Sequence, residues 1–203
     1  MKIKKILFYL LAGLLGGCIP VMSLHPLFTE QDLVFEEKLL GTWADDPNKP
    51  EMTWEFNRLK TEDANDKTYQ LFFTDKEGKK GSFVAHLVKL DDKLFLDAYP
   101  SEVPWEPKDP NRVEWLYNTF FLIPAHTFLK IDSIEPHLKI CWTTEDKMKE
   151  MLKENPDAVK HTLLEDRLVM TAPTKELQAF VLKHADDERV FPAKAVLTRK
   201  KSK

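Results

Sequence analysis

Cysteine is nearly absent from this chain: two in 203 residues, Cys18 and Cys141. That excludes a disulfide-built scaffold and a four-thiolate zinc site. Glycine is also scarce, with six in all, three of them among the first 17 residues. No Gly-rich phosphate loop can be drawn from the rest. There is no Gly-x-Ser-x-Gly elbow around Ser23, Ser82, Ser101, Ser133 or Ser202. The six histidines form neither His-x-His nor His-Glu-x-x-His, and the acid clusters Asp45-Asp46 and Asp186-Asp187-Glu188 lack the spaced ligands of a calcium loop. No metal and no cofactor are therefore expected. Positive charge is not in excess either: 30 basic against 33 acidic side chains gives −3, which speaks against nucleic acid as a partner. No apolar run reaches the roughly 20 residues of a membrane-spanning helix. What is present, 43% hydrophobic residues, suffices for one good-sized folded domain.

The amino terminus carries an address. Lys2, Lys4 and Lys5 precede an apolar stretch from Ile6 to Leu15, and Gly16-Gly17 follows, the order of an export signal. Leu15-Gly16-Gly17-Cys18 resembles the bacterial lipobox. The resemblance implies a diacylglyceryl thioether on the Cys18 sulfur, cleavage before Cys18, and acylation of the new amino terminus. Two or three acyl chains anchor a protein stably, whereas one does so only marginally. Ile19, rather than Asp, after the Cys implies an outer-membrane, periplasm-facing address if the source has two membranes. Cleavage removes three lysines and leaves 27 basic against 33 acidic residues, so lipid rather than charge would hold the body at the bilayer. Residues 1–17 are thus read as signal peptide, 18–30 as lipidated Cys and an extended, Pro-containing tether, and 31–203 as a single β-rich domain. Cys141, left without a partner between Ile140 and Trp142, is expected to be buried.

Period-two alternation and turn residues predict strands over 51–56, 68–73, 82–90, 93–99, 113–123, 127–134, 137–143 and 193–199, with a strand or hairpin over 161–171. The acidic turn Asp91-Asp92 makes 82–99 the clearest hairpin. Residues 82–90 are apolar on both faces. Four prolines between 100 and 111 predict a long loop there, with Trp105 as a lid or partner anchor. Thr144 caps a short amphipathic helix to 153, and a second starts near Pro173-Thr174 with Leu177, Phe180, Val181 and His184 at i, i+3, i+4, i+7. The fold class is mainly β: an antiparallel barrel or strongly curved sheet of about eight or nine strands, with two short helices near the C-terminus packed across its outside or one end.

Gly41-Thr42-Trp43, after Leu39-Leu40, is similar to the Gly-x-Trp of the first strand in lipocalin-type barrels. The resemblance implies a Trp closing the barrel floor, with Arg167 or Arg199 as the late arginine packed on it. Ser23 to Phe28, Leu39 to Trp43 and Leu177 to Ala185 together resemble bacterial lipoproteins of this size, which implies an address and an architecture but no reaction.

Aromatics are the richest functional signal. Trp54, Phe72, Phe95, Trp115 and Tyr117 lie on predicted strands and would line a pocket for an apolar ligand if the barrel is wide, or fill the core if it is not. Glu55, Asp97 and Glu114 are read as solvated strand carboxylates. Two functions follow: a lipid-anchored, envelope-facing, non-catalytic binding protein for an apolar small molecule or an envelope partner, and an envelope hydrolase using carboxylate and His residues converging in a cleft.

Overall fold

A computed structural model describes residues 20–60, 66–101 and 123–200. Cys18, Trp105, Glu114, Trp115, Tyr117 and most of the predicted strand 113–123 lie outside the described residues.

Eight antiparallel strands close into a barrel. They are β3 (Gly41–Ala44), β4 (Thr53–Arg58), β5 (Thr68–Thr74), β6 (Lys80–Leu90), β7 (Lys93–Pro100), β8 (Thr127–Ser133), β9 (His137–Trp142) and β12 (Ala193–Arg199), paired in that order with β12 returning to β3. The short strand β2 (Leu33–Val34) adds to β6 beside its pairing with β7. Closure settles the choice between barrel and curved sheet, and it leaves no free edge around the ring. Between β9 and β12 the chain forms α1 (Glu145–Glu154), a hairpin of β10 (His161–Leu164) and β11 (Arg167–Met170), and α2 (Thr174–Lys183). The first strand, β1 (Met22–Ser23), pairs parallel to β11, so 22–23 and the hairpin make a separate three-stranded sheet.

Two cores result, one inside the barrel and one outside. Inside, alternation places Phe56, Leu71, Ala85, Leu96, Ile140 and Leu197 among a buried set drawn from every part of the ring. Tyr69, Leu96, Leu138 and Leu197 retain no surface that water could reach, so at their level the barrel is packed with side chains and holds no chamber. Outside, Val88, Phe95, Phe128 and Cys141 turn away from the lumen and meet Met148 of α1 and Leu177, Phe180 and Val181 of α2. This double burial explains why β6 is apolar on both faces. The opposite outer wall, with Glu55, Phe72 and Val196, faces solvent.

The helices sit where their local chemistry predicts. The Thr144 hydroxyl accepts from the Lys147 N–H at the start of α1, and Met148, Met151 and Leu152 form its buried stripe. The segment expected as a tether is extended but packed against the body from Pro20 onward: Val21 and Leu27 are buried, and Pro20 bridges Thr144. No helix among the described residues is long and apolar enough to cross a membrane.

Candidate functional site

The two barrel ends differ. The floor is closed by the resemblance-implied pair. Arg199, not Arg167, lies over Trp43, with its guanidinium carbon 4.2 Å from the ring centroid. Arg199 also donates to the Leu40 and Lys38 carbonyls, and the Trp43 indole N–H donates to the Leu39 carbonyl at 2.9 Å. Gly41 sits at φ +109°, which favours glycine, and a Cβ there would come within 2.9 Å of an Arg199 terminal nitrogen and push that side chain aside. Tyr69 ties down the same end: its hydroxyl accepts from the Glu36 N–H at 2.7 Å and donates to the Glu36 carbonyl, and burial pushes its pKa up to about 12. Arg167 instead pairs with the buried carboxylate of Glu145 at 3.0 Å.

The other end is ringed by half-buried aromatics. Trp54 and Phe73 meet edge to face at 5.3 Å, and Phe83 and Trp142 also project into the lumen near this end, all four partly exposed. The Phe83 ring lies where a Cβ on Gly81 would come within 2.6 Å, so this glycine makes room for an aromatic at the rim. Among the sequence candidates, only Trp54 is placed here. Phe72 points outward from β5 with 38% of its surface exposed, and Phe95 is fully buried in the outer core near Phe191. Trp115 and Tyr117 lie outside the described residues, in the connection between β7 and β8 that leaves from this same end. Phe73, Phe83 and Trp142 were not singled out from sequence. Their signal was the one-residue step that separates Phe73 from Phe72.

A second polar cluster lies on the outer wall. Asp97, read as solvated, is fully buried: β7 is covered there by the amino-terminal segment. One Asp97 oxygen accepts from the Leu27 N–H at 2.7 Å, and the other meets His126 Nδ1 at 2.7 Å. His86 stands opposite Asp97 on β6, its ring tilted against Phe28 with centroids 4.4 Å apart and its Nδ1 buried without a hydrogen bond. Burial holds the His86 pKa below its ordinary value, partly opposed by the charge of Asp97. The cluster clamps residues 23–28 onto the barrel, since Ser23 and His126 also exchange two backbone hydrogen bonds at 2.8 Å. A His oriented by a buried carboxylate can act as a base; here one carboxylate oxygen orients His126 and the other holds the Leu27 N–H of the strap.

Cys141 is buried as expected. It donates to Asp132 at 3.1 Å, and burial with that contact raises its pKa to about 11, which makes the thiol inert. A groove of about 680 Å³ runs between residues 156–161 and α2, lined by Val159, His161, Phe180 and Lys183, outside the barrel. No group of three or more His, Cys, Asp or Glu suited to a metal occurs among the described residues. Comparison with family models, with curated proteins and with solved structures found no match. The lipocalin-like barrel therefore stands on its geometry.

Proposed function

We propose that the protein is a lipid-anchored, envelope-facing, non-catalytic binding protein that takes an apolar group at the open end of its barrel. The observation that carries this reading is the set of Trp54, Phe73, Phe83 and Trp142, partly exposed around one end of a barrel otherwise packed shut. Aromatic rims of this kind favour a flat or chain-like apolar group bound shallowly rather than a small molecule swallowed whole. An acyl chain or an apolar segment of an envelope partner fits that description. The anchor is the Cys18 thioether, with cleavage after Gly17, facing the periplasm from the outer membrane if the source has two. The filled lumen supports the shallow mode over deep enclosure.

A hydrolase reading has the Asp97–His126 pair in its favour; the binding reading gives Asp97 the role of holding the amino-terminal segment, through the Leu27 N–H that it accepts. The test titrates the acylated full chain with N-phenylnaphthylamine, an apolar fluorophore. Saturable fluorescence enhancement that is lost in Trp54→Ala and Trp142→Ala, while Phe72→Ala binds normally, supports the reading. Equal enhancement in all four proteins, or none in any, rejects it. A Cys18→Ser chain that still fractionates with membranes as tightly as the native form rejects the anchor.

A further inference from the structure

The amino-terminal strap leaves almost no slack between Cys18 and the folded body. Pro20 already bridges Thr144, Val21 is buried, and Met22 pairs with Val169. Only Ile19 stands between the Cys and the first docked residue, so Cys18 is confined to within about 7 Å of the Pro20 backbone. The parallel register of β1 with β11 brings Pro20 level with Arg167, whose guanidinium reaches the Met22 sulfur at 3.9 Å. Arg167 is the register partner of Leu164 at the tip of the β10–β11 hairpin. Leu163 and Leu164 at that tip are 57% and 60% exposed, among the most exposed large apolar residues described.

Resting on the lipid-anchor reading, we infer that the tip of the β10–β11 hairpin is a second membrane contact, seating Leu163 and Leu164 in the interface of the bilayer that holds the Cys18 acyl chains. The occupant of this patch is fixed by where the anchor ends. A body tied within one residue of the tip cannot hold that tip far from the headgroups. Exposed leucines there bury apolar surface on contact, beside Arg167 and Lys149, whose charges are both paired with the buried Glu145. Glu165 and Asp166 form the turn itself, so the contact is shallow and does not depend on anionic lipid. The same placement turns the aromatic end of the barrel toward the membrane, because Thr144 follows Trp142 by two residues. Arg199 and Lys200 lie at the floor, the far end, where the Lys200 N–H donates to the Thr42 carbonyl.

The experiment uses the acylated full chain with Leu164→Cys carrying a polarity-sensitive fluorophore. Cys18 is blocked by acylation and Cys141 is buried, so neither competes for the label. The protein is reconstituted into vesicles of phosphatidylethanolamine and phosphatidylglycerol containing spin-labelled lipid. A Val196→Cys chain, labelled on the solvent-facing wall, is the reference, and Leu163→Cys is a second position at the tip. The expected result is blue-shifted emission and quenching by spin-labelled lipid several times stronger at 164 and 163 than at 196. Equal emission and quenching at the tip and at 196, in chains whose Cys18 peptide carries the acyl mass, overturns the hairpin contact and leaves the anchor standing. A Cys18 peptide without acyl mass overturns both.

Discussion

Arg199 lies over the Trp43 indole, with the guanidinium carbon 4.2 Å from the ring centroid, and from there reaches two carbonyls of the preceding segment. One side chain thus joins the last barrel strand to the first. Arg199→Ala is expected to lose about 1–3 kcal/mol, the cation–π contact together with charged hydrogen bonds to backbone. Arg199→Lys should recover only part, because a single ammonium cannot stack and fork at once. Gly41→Ala should be more damaging than its size suggests, since it meets both an unfavourable φ and the arginine. Urea denaturation of the three variants checks this order.

The filled lumen makes a contrast between two strand residues. Leu96→Ala should cost about 2–5 kcal/mol, the range for a large-to-small change in a packed interior. Phe72→Ala, on the solvent-facing wall, should change stability by about 0.5 kcal/mol or less, as surface substitutions do. Comparable losses in both would mean that the lumen is not packed as described.

His86 sets the direction of a pH dependence. Its pKa is lowered from 6.5 by burial, so the unfolded chain takes up its proton before the folded one does. Its contribution to stability is complete above about 6.5 and is lost as the pH falls through that value toward the lowered one. Thermal melts between pH 7 and 5 should therefore show a fall that is smaller in His86→Leu. A fall of the same size in the variant would assign the effect to other groups.

Cys141 should ignore thiol reagents. Its raised pKa and near-complete burial leave almost no accessible thiolate at pH 8. In a Cys18→Ser chain, Ellman's reagent is expected to find essentially no thiol in the native protein and one per chain in urea. Fast native labelling would refute the burial.

Much of the architecture is legible in the sequence, because strand periodicity and turn residues act locally. The hairpin across Asp91-Asp92, the capped helix after Thr144 and the closing strand 193–199 all follow from neighbours within ten residues. The site is less legible. Alternation says that Phe72 and Phe73 face opposite ways but not which way is inward, and both walls of β6 are apolar, so polarity does not mark the lumen. Choosing Arg199 over Arg167 requires knowing that the last strand returns to the first. Asp97 had a signal in its place between Leu96 and Ala98, on the same side as Phe95, yet its partners, Leu27 and His126, are 70 and 29 positions away. Val21 and Leu27 show no period, so nothing local announces that the expected tether is docked.

The seam between β3 and β12 has a temporal side. Arg199 and the Leu40 carbonyl that it caps are 159 positions apart, so the ring cannot shut before nearly the whole chain is on hand. Contacts this distant in sequence slow folding. Without the final strand, β9 and β3 are each left with an unsatisfied margin, so a chain cut short before position 193 has no ring to seal.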